Sequence, residues 1–368
     1  MSQDSPELLF RDVQLEDISF LLFTSGTTGR PKGVCITHAN LVANQYQGFE
    51  ASKMVLGKGD HCNLGFAPLY HVMGLYNLVE AIMIGARNYL IDNFDLDYIL
   101  KMIRLHRPTI FYGSPTMYVA LLNHPDLQKD DLKCLQYCLC GSAPLPIEVI
   151  KQFEKTAEAP ILEVYGLSEA TSGVTKNPTV GIRKVGSIGI PLPSAEVKIV
   201  DIATGTIEMP IGEPGEIIIK SPQVMKGYWK NPEETEKTIR DGWLHTGDIG
   251  KMDSDGYFYI VGRKKELIIT GGFNVYPAEV EDVIYQHPAV LEACVYGVPD
   301  PYRGETIKVA IVVKKGAVLT GEEIQDWCRE RLTRYKVPRI VEFRESLPKT
   351  AVGKILRRHL QEEEVQKN

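Results

Sequence analysis

Residues 24–33 constrain this chain more than any other stretch: they read TSGTTGRPKG and directly follow the apolar run of residues 18–23. A β-strand that opens into three glycines, four hydroxyl residues and Lys32 carries little side-chain bulk, so its backbone N–H groups can approach an anion closely. Thr37 reads as a helix start right behind it, with helical periodicity to about Lys53, which gives the strand, loop, helix order that phosphate sites use. A Walker A loop is excluded, because Gly33 and not Ser or Thr follows Lys32. A mobile Gly/Ser/Thr turn has the same composition. The basic residue between the last glycines argues for the anion cradle.

Downstream, short apolar strands alternate with amphipathic helices. Residues 78–90 and 96–106 read as a helix, a short strand and a second helix, followed by a strand at 109–112 and a helix start at Ser114-Pro115. This alternation predicts an α/β fold with a mostly parallel, covered sheet, and ligands at the carboxyl ends of its strands. Three loops are expected to converge there: residues 24–33, 140–146 (CGSAPLP) and 165–171 (YGLSEAT). Small residues Gly141, Ser142 and Ala143 let backbone lie flat against a ligand. Tyr165 can stack on a purine, and Ser168 with Glu169 offers hard oxygen ligands for a Mg²⁺ that bridges phosphates. A Ser-capped helix with an acidic first turn would use the same letters.

From residue 185 to 220 the texture changes to short strands with Gly and Pro turns, which predicts a small β-barrel-like subdomain. In GWLHTGDIG (242–250), Asp248 on a tight glycine turn is placed to accept two ribose hydroxyls, or is a plain turn former. Asp253, Asp255 and Gly256 read as a hairpin turn. A Gly-rich boundary at 262–279 leads into a compact α+β unit, with Pro277 opening a helix to about Gln286, strands at 290–298 and 307–313, and a capping box of Thr320 and Glu323.

In order, TSGTTGRPKG, GSAPLP, YGLSEAT, GWLHTGDIG, GRKKELIITGG and the PKTAVGKI loop at 348–355 resemble the motifs of the adenylate-forming enzymes, which include acyl- and aryl-CoA synthetases, peptide-synthetase adenylation domains and insect luciferases. The resemblance spans residues 17–358 and is greatest to acyl-CoA synthetases of the 4-coumarate-CoA ligase type. It implies ATP, Mg²⁺ and coenzyme A as the small molecules used. It implies that Thr24, Ser25, Gly26, Thr27, Thr28, Gly29 and Lys32 hold the pyrophosphate of ATP. Gly141, Ser142, Ala143, Tyr165, Gly166 and Ser168 would bind its adenosine end, with Glu169 as metal ligand. Asp248 and Arg263 would hold ribose and phosphate, and Lys354 would be the catalytic lysine. His71 and Val174 would line the acyl pocket, Lys265 would be a hinge, and Gly271 with Gly272 would admit the pantetheine arm of coenzyme A. The implied domains are 1–262, an AMP-binding large domain with a β-rich part at about 185–262, and 263–368, a mobile C-terminal domain. Family members ordinarily carry a large segment ahead of the phosphate loop, so this chain reads as N-terminally shortened. Exposed sheet edges would then favour a homo-oligomer.

At 368 residues two domains are the expectation. A net charge of −6 argues against nucleic acid as a partner, because the long-range field repels phosphate backbones. No apolar run is long enough to span a bilayer and no secretory leader is recognisable, so a cytoplasmic enzyme is expected. Seven cysteines do not form a disulfide framework, and Cys134, Cys138 and Cys140 match no zinc spacing, so they read as reduced core thiols. The expected function is an ATP-dependent carboxylic acid–CoA ligase acting on a fatty or aryl acid. Two other classes share these motifs: a catalytically silent nucleotide-binding or interaction protein, and a luciferase-like adenylating oxygenase.

Overall fold

A computed structural model describes residues 12–24, 31–57, 59–65, 67–91, 95–143, 145–350 and 353–367. The strand Ile18–Thr24 does not pass through its loop into a helix. It pairs antiparallel with a second strand, Lys32–Thr37, and Gly227–Tyr228 adds to the far side of that strand. This corrects the expected strand, loop, helix order: Val34, Cys35 and Ile36 are buried, which favours an extended segment there. The helix His38–Glu50 then starts where expected, with the Thr37 hydroxyl accepting from the Asn40 N–H and the Asn40 amide oxygen accepting from the Thr37 N–H.

A seven-stranded sheet forms the centre of the larger region, in the order Arg87–Leu90, Cys62–Gly65, Ile110–Gly113, Tyr137–Cys140, Ile161–Leu167, Ser172–Lys176 and Ile190–Pro191. The first five strands run parallel and the last two antiparallel. Successive side chains point to opposite faces. Phe111, Cys138 and Ile161 join one core with Ile99, Tyr118 and Phe153 from the helices that cover that face. Tyr112, Tyr137 and Leu162 point to the other face, towards Leu56 and Tyr76. The seven cysteines are free, and burial pushes the Cys138 and Cys140 thiols far up, as expected of core thiols.

The expected β-barrel-like part is a five-stranded antiparallel sheet built on Gly215–Lys220 and Trp243–Met252. The Asp253–Gly256 segment does form the hairpin turn between Trp243–Met252 and Phe258–Arg263, and Lys184 holds Asp253 at 2.6 Å. Towards the C-terminus a second five-stranded sheet has Gly304–Val313 at its centre, with the long strand Val290–Asp300 paired along one edge of it. Helices Pro277–Tyr285 and Gly321–Arg329 pack Val280, Ile284 and Ile324 onto Val295, Val309 and Ile311. The Thr320–Glu323 capping box is present. No helix of the described residues is long and apolar enough to cross a membrane.

Candidate functional site

A cavity of about 780 Å³ opens where the central sheet, the Trp243–Met252 sheet and the C-terminal Lys354 loop meet. Its walls hold Thr24, Lys32, Gly141, Ser142, Gly166, Ser168 and Glu169. Asp248, Arg263, Lys265, Lys354 and His71 complete the set of sequence-predicted residues on its wall. Residues separated by more than 300 positions therefore share one hollow. Ser25, Gly26, Thr27, Thr28 and Gly29 lie outside the described residues.

Asp248 is the most strongly organised group. Both carboxylate oxygens are engaged: Oδ2 accepts from the Tyr165 hydroxyl at 2.8 Å, and Oδ1 accepts from Arg263 Nε at 2.9 Å. The Asp248 carboxylate holds the Arg263 guanidinium above its ordinary range. The Tyr165 ring packs into the core of the antiparallel sheet, so Tyr165 orients the carboxylate and its ring is not a wall of the cavity. The Tyr165 hydroxyl thus has a positioning role, beside which the purine stack expected of its ring stands as part of the proposed nucleotide binding.

Glu169 sits on a short 3₁₀ turn, Ser168–Ala170, at the end of the strand Ile161–Leu167. Its Oε1 accepts from the Tyr228 hydroxyl at 2.9 Å, which fixes the carboxylate toward the cavity and leaves Oε2 for a cation. A carboxylate held this way beside the Ser168 hydroxyl suits a hard divalent ion such as Mg²⁺. Across from it, Lys32 pairs with Glu234 of the helix Pro232–Thr238 and lies 5.1 Å over the Tyr228 ring. That ammonium holds the Glu234 carboxyl below its usual range.

Lys354 is half-buried. Burial, and then the neighbouring Arg263, lower its pKa to about 8, while Asp248 acts in the opposite sense. Its loop is tied to the large region by the Thr116 hydroxyl, which donates to the Gly353 carbonyl at 3.0 Å. His71 caps the helix Val72–Met83: its Nδ1 accepts from the Met73 N–H at 3.2 Å, so the proton resides on Nε2. Burial and the nearby Lys354 ammonium lower the imidazole pKa, keeping the ring neutral.

Four other expected residues lie off the cavity wall. Val174 is wholly buried in the antiparallel-sheet core and is not on the cavity wall: Tyr165 pairs with Thr175 and Gly166 with Gly173, so Val174 is the extra residue of a bulge that interrupts the alternation. Ala143 stands beside the cavity wall and is not part of it. Gly271 and Gly272 form the exposed turn between Ile268–Thr270 and Phe273–Val275, at φ +57° and +83°. A two-residue turn with both φ positive calls for glycine on its own account, so the pair has a structural reason for its composition. Tyr228 and Glu234 are the residues missed. The Asn231-Pro232 helix start was readable in the sequence, but nothing there pointed across 202 positions to Lys32.

Comparison with known proteins agrees with this geometry. The family model of the AMP-binding enzyme matches residues 3–229, and that of the AMP-binding enzyme C-terminal domain matches residues 279–354. A long-chain-fatty-acid–CoA ligase of Bacillus subtilis (strain 168) is 50% identical over 369 residues, covering 100% of this chain and 66% of that protein. A feruloyl-CoA synthase of Amycolatopsis sp is 40% identical over 347 residues, with 94% of this chain and 70% of that protein covered. ATP-bound MatB from Rhodopseudomonas palustris superposes with a TM-score of 0.87 at 36% identity over 96% of this chain and 69% of its own. The anthranilate CoA ligase AuaEII in complex with anthranoyl-AMP gives 0.86 at 34% identity, with 95% and 68% covered. The chain spans 62–66% of the length of the long-chain-fatty-acid–CoA ligases of Bacillus subtilis and Escherichia coli that it matches. With the family model matching residues 3–229 and the relatives this similar, the chain belongs to the AMP-binding enzyme family.

Proposed function

We propose that this chain carries the chemistry of an ATP-dependent carboxylic acid–CoA ligase. The reading rests chiefly on Lys354 sharing one cavity with the Asp248–Arg263 pair and with Lys32 and Glu169, so that groups from both ends of the chain surround a single ligand. A carboxylate and a triphosphate repel each other, and catalysis then depends on positioning and on positive charge. The carboxylate oxygen attacks the α-phosphorus, the P–O bond to pyrophosphate breaks, and an acyl adenylate forms. Lys32 leaves Glu234 to hold the departing pyrophosphate, Asp248 receives the ribose hydroxyls, and Lys354 sits between the attacking carboxylate and the α-phosphate. Mg²⁺ held by Glu169 would neutralise phosphate oxygens. No general base is required, since the acid is already ionised at neutral pH.

In the second half-reaction the thiolate of coenzyme A attacks the acyl carbon and AMP departs with the bonding pair. For this step we assign residues 1–262 and 263–368 as separate domains that turn about Lys265, withdrawing Lys354. The exposed Gly271–Gly272 turn would then come to the thiol path. The full ligase activity, its acid and its location in the cell all belong to this proposal. The test is acid-dependent hydroxamate formation from ATP and hydroxylamine over a panel of carboxylic acids. Formation with at least one acid is expected. Nucleotide binding without stimulation by any acid would favour the silent nucleotide-binding reading.

A further inference from the structure

The cavity does not stop at the nucleotide end. It continues between the central sheet and the helices His38–Glu50 and Val72–Met83, past Leu139 and Val164, to Lys176. Ser172 and Lys176 are the two ends of one strand, so Lys176 lies about 13 Å deeper along it at ~3.3 Å per residue. The middle of this channel is apolar. The part that Lys176 lines is not.

There, Lys176 Nζ donates to the Ser52 hydroxyl and to the Tyr137 hydroxyl, the latter at 3.2 Å. Glu80 completes the cluster: its Oε1 accepts from the Tyr76 hydroxyl at 3.0 Å and its Oε2 accepts from the Tyr112 hydroxyl. Lys176 is 5% exposed and Glu80 2%. Burial lowers the Lys176 pKa to about 8 and raises that of Glu80, each group opposing the other's shift. The helix is bare at Gly48 because a Cβ there would lie 2.1 Å from the Tyr76 hydroxyl oxygen. The tyrosine can reach Glu80 only past that glycine.

Burying a lysine and a glutamate contributes little to stability compared with apolar side chains of the same volume, so closing a channel for an alkyl tail would call for Leu or Phe here. Two of the three ammonium N–H groups have protein acceptors, and Lys176 lines the cavity, so the third is the donor a ligand can use. A methyl terminus would leave that donor desolvated and unpaired. A second carboxylate would add negative charge beside Glu80 with only one ammonium to balance both. An uncharged oxygen satisfies the donor without either penalty.

We propose that Lys176 and Tyr137 are specificity determinants: the chain selects carboxylic acids whose far end carries an uncharged hydroxyl or ether oxygen. This rests on the ligase reading above. The same chemistry is offered by hydroxyaryl acids and by hydroxyl-terminated alkyl acids, and matched pairs separate them.

The experiment compares para-hydroxyphenylpropanoate with phenylpropanoate and omega-hydroxyoctanoate with octanoate, adding octanedioate as the dianion, by pyrophosphate release. At least one hydroxylated acid is expected to exceed its partner by about tenfold or more in kcat/KM, with octanedioate below octanoate. Lys176→Met should bring that ratio to about one while the KM for ATP stays unchanged. Tyr137→Phe, which keeps the ring, should lower it in part and serves if Lys176→Met fails to fold. Equal or better use of the unsubstituted acid in both pairs overturns the proposal, as does a ratio untouched in both variants. Release with any acid upholds the ligase reading whatever the ratio. If no acid is used, that reading fails, and the same pairs offered as non-reactive acyl-sulfamoyl adenosines decide specificity by affinity, equal affinities overturning it.

Discussion

The two faces of the central sheet are built from the same strands and behave as different materials. On one face Phe111, Tyr118 and Phe153 form a wholly buried aromatic cluster, with ring centroids 5.3 Å apart for Phe111–Tyr118 and 4.8 Å for Tyr118–Phe153. On the other, Tyr76, Tyr112 and Tyr137 also meet edge to face, at 6.3 and 6.2 Å, but line a cavity and send their hydroxyls to Glu80 and Ser52. Neighbouring residues such as Phe111 and Tyr112 thus serve opposite purposes. A pleat of period two lets one strand stabilise the molecule with half its side chains and leave the other half for chemistry.

That division can be broken experimentally. Phe153→Ala should cost about 3–5 kcal/mol of unfolding free energy in urea titration, with turnover per folded molecule little changed. A large activity loss without a stability loss would mean that the filled face also serves the site. Lys354→Ala should do the reverse, slowing acyl-adenylate formation by about 100- to 1,000-fold at an unchanged melting temperature. Next in size is a pH effect. A lysine titrating at about 8 is charged below that pH and neutral above it, so adenylation kcat/KM should fall as pH rises through about 8, by roughly tenfold per unit beyond it. The residual activity of Lys354→Ala should lack this limb. Because Lys176 also titrates at about 8, Lys176→Met assayed with an unsubstituted acid should keep the limb if it belongs to Lys354.

The smallest effects come from one helix that serves both faces, Pro115–Leu122. The Tyr118 hydroxyl donates to the Leu139 carbonyl at 2.7 Å, and Tyr118→Phe should cost about 1 kcal/mol of stability alone. Thr116→Val removes the tie to Gly353 and should slow adenylation about three- to tenfold, leaving stability and the thioester-forming step from preformed adenylate unchanged. Equal effects on both half-reactions would remove Thr116 from the positioning of Lys354.

Much of this is legible in the sequence. The α/β class and the convergence of the Lys32 and Glu169 loops follow from loops at strand ends, which are local features, while the places of Asp248 and Lys354 were implied by the resemblance in motif order. The strand Lys32–Thr37 was missed because a six-residue run with one glycine gives a weak periodic signal, and its first two residues belong to the 24–33 motif that was read as a loop. Val174 was misassigned because proximity in sequence to YGLSEAT does not say which way a strand residue points. His71 was expected in the acyl pocket, and its role as a helix cap depends on a bond to Met73. Lys176 stood unremarked in a strand: its meaning comes from Ser52, Glu80 and Tyr137, which three other segments bring to it. Contacts of that range are set by the fold and leave no local trace.

The central claim is that cationic groups from both ends of the chain act on one nucleotide and one acid. Carboxylic-acid-dependent exchange of labelled pyrophosphate into ATP tests it most directly, run on the full chain and on Lys354→Ala with ATP binding measured alongside. The expected result is acid-dependent exchange by the full chain, lost in the variant while ATP still binds with similar affinity. Exchange that persists undiminished in Lys354→Ala would contradict it.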